Sequence, residues 1–305
     1  ATSGISRLMW GMGVFNHHIR GVVSLACMQE YEFPRIIQNI AVDLPEEIWS
    51  RERHASDNPE EMVNKVTYKT PDYMLCSAQS YHPGERGDQQ HIWQATMGPA
   101  AVVFVTHPPC ESEKNPHRTN FWCGNYMLPR VAQWKDVLIA IHDLSEDDWM
   151  GFTHAYFPIH AFDQYDLREG WAFARKGDAY LALTTSQGLE LTATGKHAYQ
   201  ELRSYGEYNI WVCHMGRAGL DGDFDAFQDK ILALDVKFED LSVQCDTLRG
   251  ETLAFGWQGP FMRDGKQQAI SGFKHYENPY CVAELPTTEM DIRFGEWLMR
   301  LHFSE

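Results

Sequence analysis

The sequence predicts a mainly β protein, a large antiparallel β-sandwich preceded by a short helical segment. Two observations predict this fold. Before residue 50, apolar residues follow the three-to-four spacing of amphipathic helices. After residue 62, short segments rich in β-branched and aromatic residues recur roughly every 8 to 12 residues between Gly, Pro, Asn and Asp turns. The 305 residues leave room for one large β domain or two domains. We place a helical segment at 1–61 and a sandwich domain at 62–305.

The first segment is predicted to form helices that end before residue 51. Their apolar face consists of Leu8, Met12, Phe15, Ile19, Val22, Val23, Ala26 and Cys27. Pro34 interrupts this pattern, and Pro45-Glu46-Glu47 has the composition of a helix start. The charged, turn-forming stretch 51–61 marks the boundary. Because these helices alone would expose a large apolar face, we expect them to pack on the β domain, on a missing N-terminal helical half, or on a companion chain.

The sandwich domain is predicted from its strand-like segments, with one helix between them. Strands are expected at 65–69, 73–79, 92–96, 101–106, 137–142, 150–157, 171–176, 179–185, 189–194, 210–214, 231–238, 241–247, 252–257, 269–273, 281–285 and 298–303. A helix is expected after Asp221-Gly222-Asp223, because this segment can cap it and the apolar residues that follow would share one face. These residues are Phe224, Phe227, Ile231 and Leu234.

The charge balance excludes one class of partner. The formal net charge is -16, from 26 Lys+Arg against 42 Asp+Glu, and there is no basic block. Nucleic acid is therefore not an expected partner, because phosphate binding needs a concentrated positive surface. An acidic polysaccharide would be repelled at long range, but local Arg clusters can overcome this because screening limits the repulsion to ~10 Å.

The seven cysteines are odd in number and widely spaced, without a Cys-x-x-Cys pair. This pattern indicates buried thiols and favours a reducing compartment such as the cytoplasm. No apolar run reaches 18 residues, so no membrane span is expected. The chain begins Ala-Thr-Ser without Met or a signal-like segment, and we interpret it as a processed or truncated product.

Two stretches, 84–108 and 120–142, combine polar side chains with apolar, strand-like runs. The first contains His91, and the second contains Asn120, Asn125 and Arg130. Polar groups at strand ends or adjoining loops are held in place when the apolar runs are buried. We therefore expect the functional site where these two stretches meet.

The same residues carry a resemblance to a known family. The Gly84-x-x-Gly87-x-x-x-His91 segment, and the strand from Arg130 through Lys135-Asp136 after a long loop, resemble the C-terminal half of heparinase II/III-like and chondroitin-lyase-like polysaccharide lyases. In that family an incomplete (α/α) toroid precedes the sandwich, so residues 6–50 would be its last helices. The sequence departs from the family where Trp134-Lys135-Asp136 replaces a usual His-Asn pair, and where only His91 stands for a usual His-x-His-x-Asp.

The resemblance implies β-elimination of a uronic-acid-containing glycan. This chemistry needs a base for the proton next to the carboxylate, groups that neutralise the carboxylate, and an acid for the leaving oxygen. We expect His91, Tyr156 and Arg130 to be catalytic. The expected substrate-binding residues are Asn120, Asn125, Trp93, Trp122 and His154. Aromatic rings suit this substrate because they stack on sugar rings.

Structural roles are the alternatives for these residues. His91 would then be hydrogen-bonded at a strand end, Arg130 paired with Asp136 or another acid, and Asn125 a turn residue. The tryptophans would be packing residues of the sheets.

Other functions stay open. A glycoside hydrolase needs two carboxylates ~5 to 9.5 Å apart; the available ones are Asp163, Asp166, Glu169, Asp221, Asp223 and Glu277. A non-catalytic glycan-binding or assembly module is the remaining alternative. No cofactor is expected, although His154, His160 and Asp163 together have the residue types of a divalent metal site. Serine-hydrolase, NTPase and dinucleotide motifs are absent from the sequence.

Overall fold

The protein is mainly β, with antiparallel sheets stacked as a sandwich. A computed structural model describes residues 34–54, 62–87, 89–110, 121–145 and 150–303. The predicted helices before residue 34 lie outside the described residues. The first fourteen strands form two large sheets: β1 (Ile48–His54), β2 (Val63–Lys69), β3 (Met74–Ala78), β4 (Trp93–Thr96), β5 (Val102–Thr106), β6 (Arg130–Trp134), β7 (Val137–Asp143), β8 (Phe152–Tyr156), β9 (Gln164–Arg168), β10 (Trp171–Lys176), β11 (Ala179–Thr185), β12 (Glu190–Leu191), β13 (Glu201–Tyr205) and β14 (Tyr208–Arg217).

The eight-stranded sheet has the order β1-β2-β3-β4-β5-β8-β13-β12, and the six-stranded sheet has the order β6-β7-β14-β11-β10-β9. A five-stranded sheet consists of β15 (Val236–Glu239), β16 (Ser242–Asp246), β17 (Thr252–Gly256), β18 (Phe261–Arg263) and β19 (Lys266–Gln268). A four-stranded sheet consists of β20 (Tyr276–Asn278), β21 (Cys281–Ala283), β22 (Glu289–Phe294) and β23 (Trp297–His302). The helices are α1 (Arg35–Val42), α2 (Ala218–Asp221) and α3 (Phe224–Leu232), with a 3-10 turn at Ile159–Ala161.

The main core lies between the two large sheets. Alternate residues of each strand face inward, so Leu75, Val103 and Ala155 of the eight-stranded sheet meet Leu138 and Leu181 of the six-stranded sheet. The outer face of the eight-stranded sheet, which points away from this core, carries the other half of the side chains.

The six-stranded sheet is covered on both faces. Ile139 and Ile141 of β7 pack against the five-stranded sheet, while Phe173 of β10 packs under Phe227 of α3. This double coverage explains why β7 and β11 are nearly continuous apolar runs, because neither face meets water. Asp223 caps α3 as predicted, with its carboxylate accepting a hydrogen bond from the Ala226 amide at 2.9 Å.

Three secondary-structure predictions were wrong. The predicted helix start at Pro45 is followed by strand β1, which pairs with β2 along its whole length. Tertiary pairing overrides the local Pro-Glu-Glu signal here. The predicted strand 231–238 begins only at Val236, because α3 continues to Leu232, and no strand forms at 269–273.

Strand β1 lies at the edge of the eight-stranded sheet and is covered there by residues from far along the chain. The Arg53 amide donates to the Lys274 carbonyl at 2.7 Å, and Arg51 pairs with Glu277 at 3.0 Å. Asn278 donates to Glu52 at 2.8 Å. The N-terminal edge strand is therefore closed off by the segment that leads into the four-stranded sheet.

Two further findings concern the described ranges as a whole. Within them, no helix has the length and apolar character to cross a membrane. Their cysteines are all free thiols, namely Cys76, Cys110, Cys123, Cys213, Cys245 and Cys281.

Candidate functional site

The outer face of the eight-stranded sheet carries aromatic and polar side chains on adjacent strands. On β8, Ala155 faces the core, so His154 and Tyr156 face outward. On β5, Phe104 faces outward and is paired directly with Tyr156. Their rings stack with centroids 5.3 Å apart and an interplanar angle of 21°. The antiparallel register therefore places residues that are distant in sequence side by side.

The segment after residue 120 covers part of this face with Trp122. Gly124 has a φ of 81°, a left-handed conformation that lets the chain turn here. The Trp122 ring stacks on His154 with centroids 4.2 Å apart and an interplanar angle of 4°, and it meets Tyr156 edge-on at 5.3 Å. Its indole nitrogen donates a hydrogen bond to Nδ1 of His197 at 3.2 Å. Trp122 is thus fixed by contacts on its face, edge and nitrogen.

His91 precedes β4 and lies beside Phe104, with ring centroids 4.6 Å apart. It is exposed at the surface, yet loss of hydration against neighbouring protein atoms lowers its pKa. A hydrogen bond with the Gln94 side chain opposes this effect without reversing it. A neutral imidazole that reaches solvent is a group able to accept a proton at neutral pH.

These residues form one continuous group, which we call the aromatic cluster. Its members are His91, Phe104, Phe121, Trp122, His154, Tyr156 and His197. Phe104, Trp122 and Tyr156 are half-buried, whereas Phe121 and His154 lie buried beneath them. The cluster therefore contains four residues that the sequence predicted for the site, namely His91, Trp122, His154 and Tyr156.

A buried ionic network supports the cluster from below. Nδ1 of His154 lies 2.7 Å from the Glu201 carboxylate, and both side chains are fully buried. Thr192 donates to the same carboxylate at 2.8 Å, and Arg203 pairs with it at 3.1 Å. Burial lowers the pKa of His154 more than Glu201 raises it, so the imidazole under Trp122 is neutral at neutral pH. Burial raises the pKa of Glu201, but the bonds from His154 and Thr192 and the charge of Arg203 outweigh this and keep it ionised.

Asn125 joins the two stretches that the sequence singled out, but it does so inside the protein. It is fully buried. Its side-chain oxygen accepts from the His107 amide at 3.0 Å, and its side-chain nitrogen donates to the Gln90 carbonyl at 3.0 Å. At Gly87 a Cβ would lie 2.4 Å from the Asn125 carbonyl oxygen, so only glycine permits this approach. Asn125 therefore links backbone segments, and neither of these side-chain hydrogen bonds involves a residue of the aromatic cluster.

Arg130 is also engaged in packing between sheets. Its guanidinium donates to the carbonyls of Gly256 and Gly259, the latter at 2.7 Å, and lies 4.6 Å from the centre of the Phe255 ring. Partial burial lowers its pKa. Arg130 therefore fixes the six-stranded sheet to the five-stranded sheet. The ion pair with Asp136 that was its alternative does not form among the described residues.

Of the two remaining predicted residues, Trp93 is described and is not in the cluster. Trp93 is 1% exposed and belongs to the core between the large sheets, on the opposite face of β4 from Gln94. Asn120 lies outside the described residues.

The three residues considered for a metal are dispersed. His154 is bonded to Glu201, whereas Asp163 accepts from Lys176 and from the Gly177 amide, both at 2.7 Å. His160 is exposed on the 3-10 turn. Across the described ranges, no three His, Cys, Asp or Glu side chains are grouped to hold a metal ion.

A pocket of about 210 Å³ lies next to His91 on the outer face of β2, β3 and β4. Lys65 and Thr67 of β2, Cys76 of β3 and Gln94 of β4 line it together with His91. Burial raises the pKa of the Cys76 thiol, which donates to the Gln94 carbonyl at 3.7 Å and carries no charge at neutral pH. His91 therefore stands between this pocket, which we call the β2–β4 pocket, and the rings of the aromatic cluster.

Sequence reasoning missed Phe104, Glu201 and Lys65. Phe104 lies in a stretch that was taken as a continuous apolar run, although strand alternation with Val103 and Val105 places it on the opposite face. No sequence pattern around Glu201 or Lys65 marks them as site residues. Their neighbours in space are set by the pairing of β8 with β13 and of β2 with β3.

Comparisons of the chain with protein-family profiles, with curated proteins and with solved structures found no match.

Proposed function

We propose that the chain is a carbohydrate-active enzyme, a polysaccharide lyase that cleaves a uronic-acid-containing glycan by β-elimination at the aromatic cluster. The observation that carries this proposal is the grouping of His91, Tyr156 and Trp122 around Phe104 on one half-exposed sheet face. Flat apolar rings stack on sugar rings, while imidazole and phenol groups transfer protons.

In the proposed reaction His91 is the base and Tyr156 the acid. The proton on the carbon next to the uronate carboxylate passes to His91, and the electrons of that C–H bond form a carbon–carbon double bond. The C–O bond to the leaving sugar then breaks, and the leaving oxygen takes a proton from Tyr156. The lowered pKa of His91 supports the first role, because only the neutral imidazole accepts a proton. The ring centroids of His91 and Tyr156 lie 4.6 and 5.3 Å from that of Phe104, so the proposed base and acid are both neighbours of the same half-buried ring.

A non-catalytic glycan-binding module is the second candidate. Asn125 and Arg130, two of the residues expected at the substrate carboxylate, are instead bonded to backbone carbonyls and amides. A binding module uses the aromatic surface without the groups that elimination requires. For hydrolysis the support is weaker, because Asp221 and Glu277 are held in ion pairs with Arg249 and Arg51.

The test is ultraviolet absorbance during incubation with a panel of uronate-containing polysaccharides. A rising signal from an unsaturated uronide supports the lyase. His91→Ala should then lower turnover at least about a hundredfold, whereas His160→Ala, at an exposed histidine outside the cluster, should leave it unchanged. Full activity in His91→Ala would remove His91 from the mechanism. New reducing ends without the double bond would indicate a hydrolase, and binding without cleavage would indicate the module.

A further inference from the structure

The β2–β4 pocket contains a lysine that forms no ion pair within the described ranges. Lys65 is exposed on the outer face of β2 and forms no ion pair with any residue that the structure describes. Its cross-strand neighbour on β1 is Glu52, whose carboxylate accepts a hydrogen bond from Asn278 at 2.8 Å. The ammonium group of Lys65 is therefore available to a ligand.

The rest of the pocket combines apolar lining from residues such as Val63 and Ala78 with a few polar groups and no carboxylate. Cys76 is kept as a neutral thiol by burial, so it offers no competing negative charge. Thr67 and Gln94 add a hydroxyl and an amide on either side of Cys76, because β2, β3 and β4 pair in that register. With a pocket volume of about 210 Å³ there is room for a carboxylate and part of the ring that bears it.

We infer that the β2–β4 pocket binds the carboxylate of an acidic sugar, with Lys65 as the neutralising cation. This inference rests on the proposed function and supplies the group that Asn125 and Arg130 do not supply. A chain with a net charge of -16 repels a polyanion except where a local cation faces it. Lys65 lines the same pocket as His91, so a carboxylate held by Lys65 presents its neighbouring carbon to the base.

The charge of Lys65 also has a chemical role in elimination. Removal of the proton next to a carboxylate builds negative charge on the carboxylate oxygens, and a nearby ammonium stabilises that charge. Replacing Lys65 by Gln should consequently affect substrates with a free carboxylate far more than substrates in which the carboxylate is a methyl ester.

The experiment compares wild type, Lys65→Gln, Lys65→Arg and the control Lys69→Gln on one uronate oligosaccharide and on its methyl ester. Lys69 lies on the same face of the same strand but does not line the pocket. For the free acid, Lys65→Gln should lower kcat/KM, or raise Kd if the protein only binds, by about ten- to a hundredfold. Lys65→Arg should recover most of this loss, Lys69→Gln should behave as wild type, and the ester should show no such difference.

The outcomes separate the two proposals. If wild type cleaves or binds the acid and Lys65→Gln matches it, the inference is overturned while the proposed function stands. An equal loss on acid and ester would also overturn it, because the effect would then be structural. If wild type neither cleaves nor binds any uronate glycan, the proposed function fails and the inference fails with it.

Discussion

His214 provides a direct test of how strongly the core of the six-stranded sheet excludes water. It lies on β14, is 1% exposed, and neither ring nitrogen has a hydrogen-bond partner within the described ranges. Its ring packs against Trp171 at 5.8 Å. Burial, aided by the charge of Arg249, lowers its pKa from 6.5 to about 3.

This shift has a definite effect on stability. Below pH 6.5 the unfolded chain takes up a proton at His214 that the folded protein refuses, so stability falls as the pH falls. At pH 5.0 the loss from this group is about 2 kcal/mol relative to pH 7.5, because each pH unit below the unfolded pKa contributes ~1.4 kcal/mol. His214→Phe keeps an aromatic ring in the site but removes the titrating group.

The unfolding free energies of wild type and His214→Phe in urea, determined at pH 7.5 and pH 5.0, measure the contribution of His214 to stability. At pH 7.5 the two should differ by less than about 1.5 kcal/mol, since the ring volumes are similar. At pH 5.0 the unfolding free energy of the variant, relative to that of wild type, should be about 2 kcal/mol higher than it is at pH 7.5. Ile139→Val, in a fully buried position without a titrating group, should cost about 1 kcal/mol at both pH values. A difference between wild type and His214→Phe that is the same at both pH values would refute the reasoning.

Two further predictions concern ionic contacts between sheets. Arg249→Met leaves the buried carboxylates of Asp136 and Asp221 without the guanidinium that holds them at 3.2 and 2.8 Å, so unfolding free energy in urea should fall by about 3–5 kcal/mol at pH 8. The loss should be smaller at pH 5, where Asp136, with a pKa raised by burial to about 6, takes up a proton; an equal loss would contradict this. Arg130→Met removes two donors to backbone carbonyls and should cost about 1–3 kcal/mol in the same assay, and an unchanged stability would show that Arg130 does not join the sheets.

Strands could be predicted where the apolar residues of the sequence pattern are also the buried residues of the structure. β10 and β11 were predicted with the bounds they have, because their apolar runs lie between Gly and Asp turns. β13 was missed, because Glu201 and Arg203 give it a polar sequence; in the structure the two pair with each other, and Glu201 also contacts His154 of β8. β1 was missed, because residues 48–50 were assigned to a helix and 51–54 to the boundary, and nothing in the local sequence indicates that β2 lies beside them.

The candidate site was predictable only in part, and for a related reason. His91, Trp122, His154 and Tyr156 were chosen for their chemistry. In the structure Trp122 contacts both His154 and Tyr156 of β8, while His91 contacts Phe104, which β5 pairs with Tyr156. Arg130 and Asn125 have equally suitable chemistry, but their partners are backbone atoms at distant positions such as Gly256 and Gln90. Such partners cannot be inferred from a single sequence, because any residue supplies a backbone carbonyl.

The closure of β1 by residues 274–278 has a consequence for the order of events during synthesis. Arg51 and Glu52 emerge from the ribosome 226 residues before Glu277 and Asn278, with which they pair. Until that later segment arrives, the outer edge of β1 presents unpaired backbone groups to any other strand nearby. Completion of the eight-stranded sheet edge is therefore a late event, set by contacts between residues 226 positions apart, and the nascent chain passes through a period in which this edge requires protection.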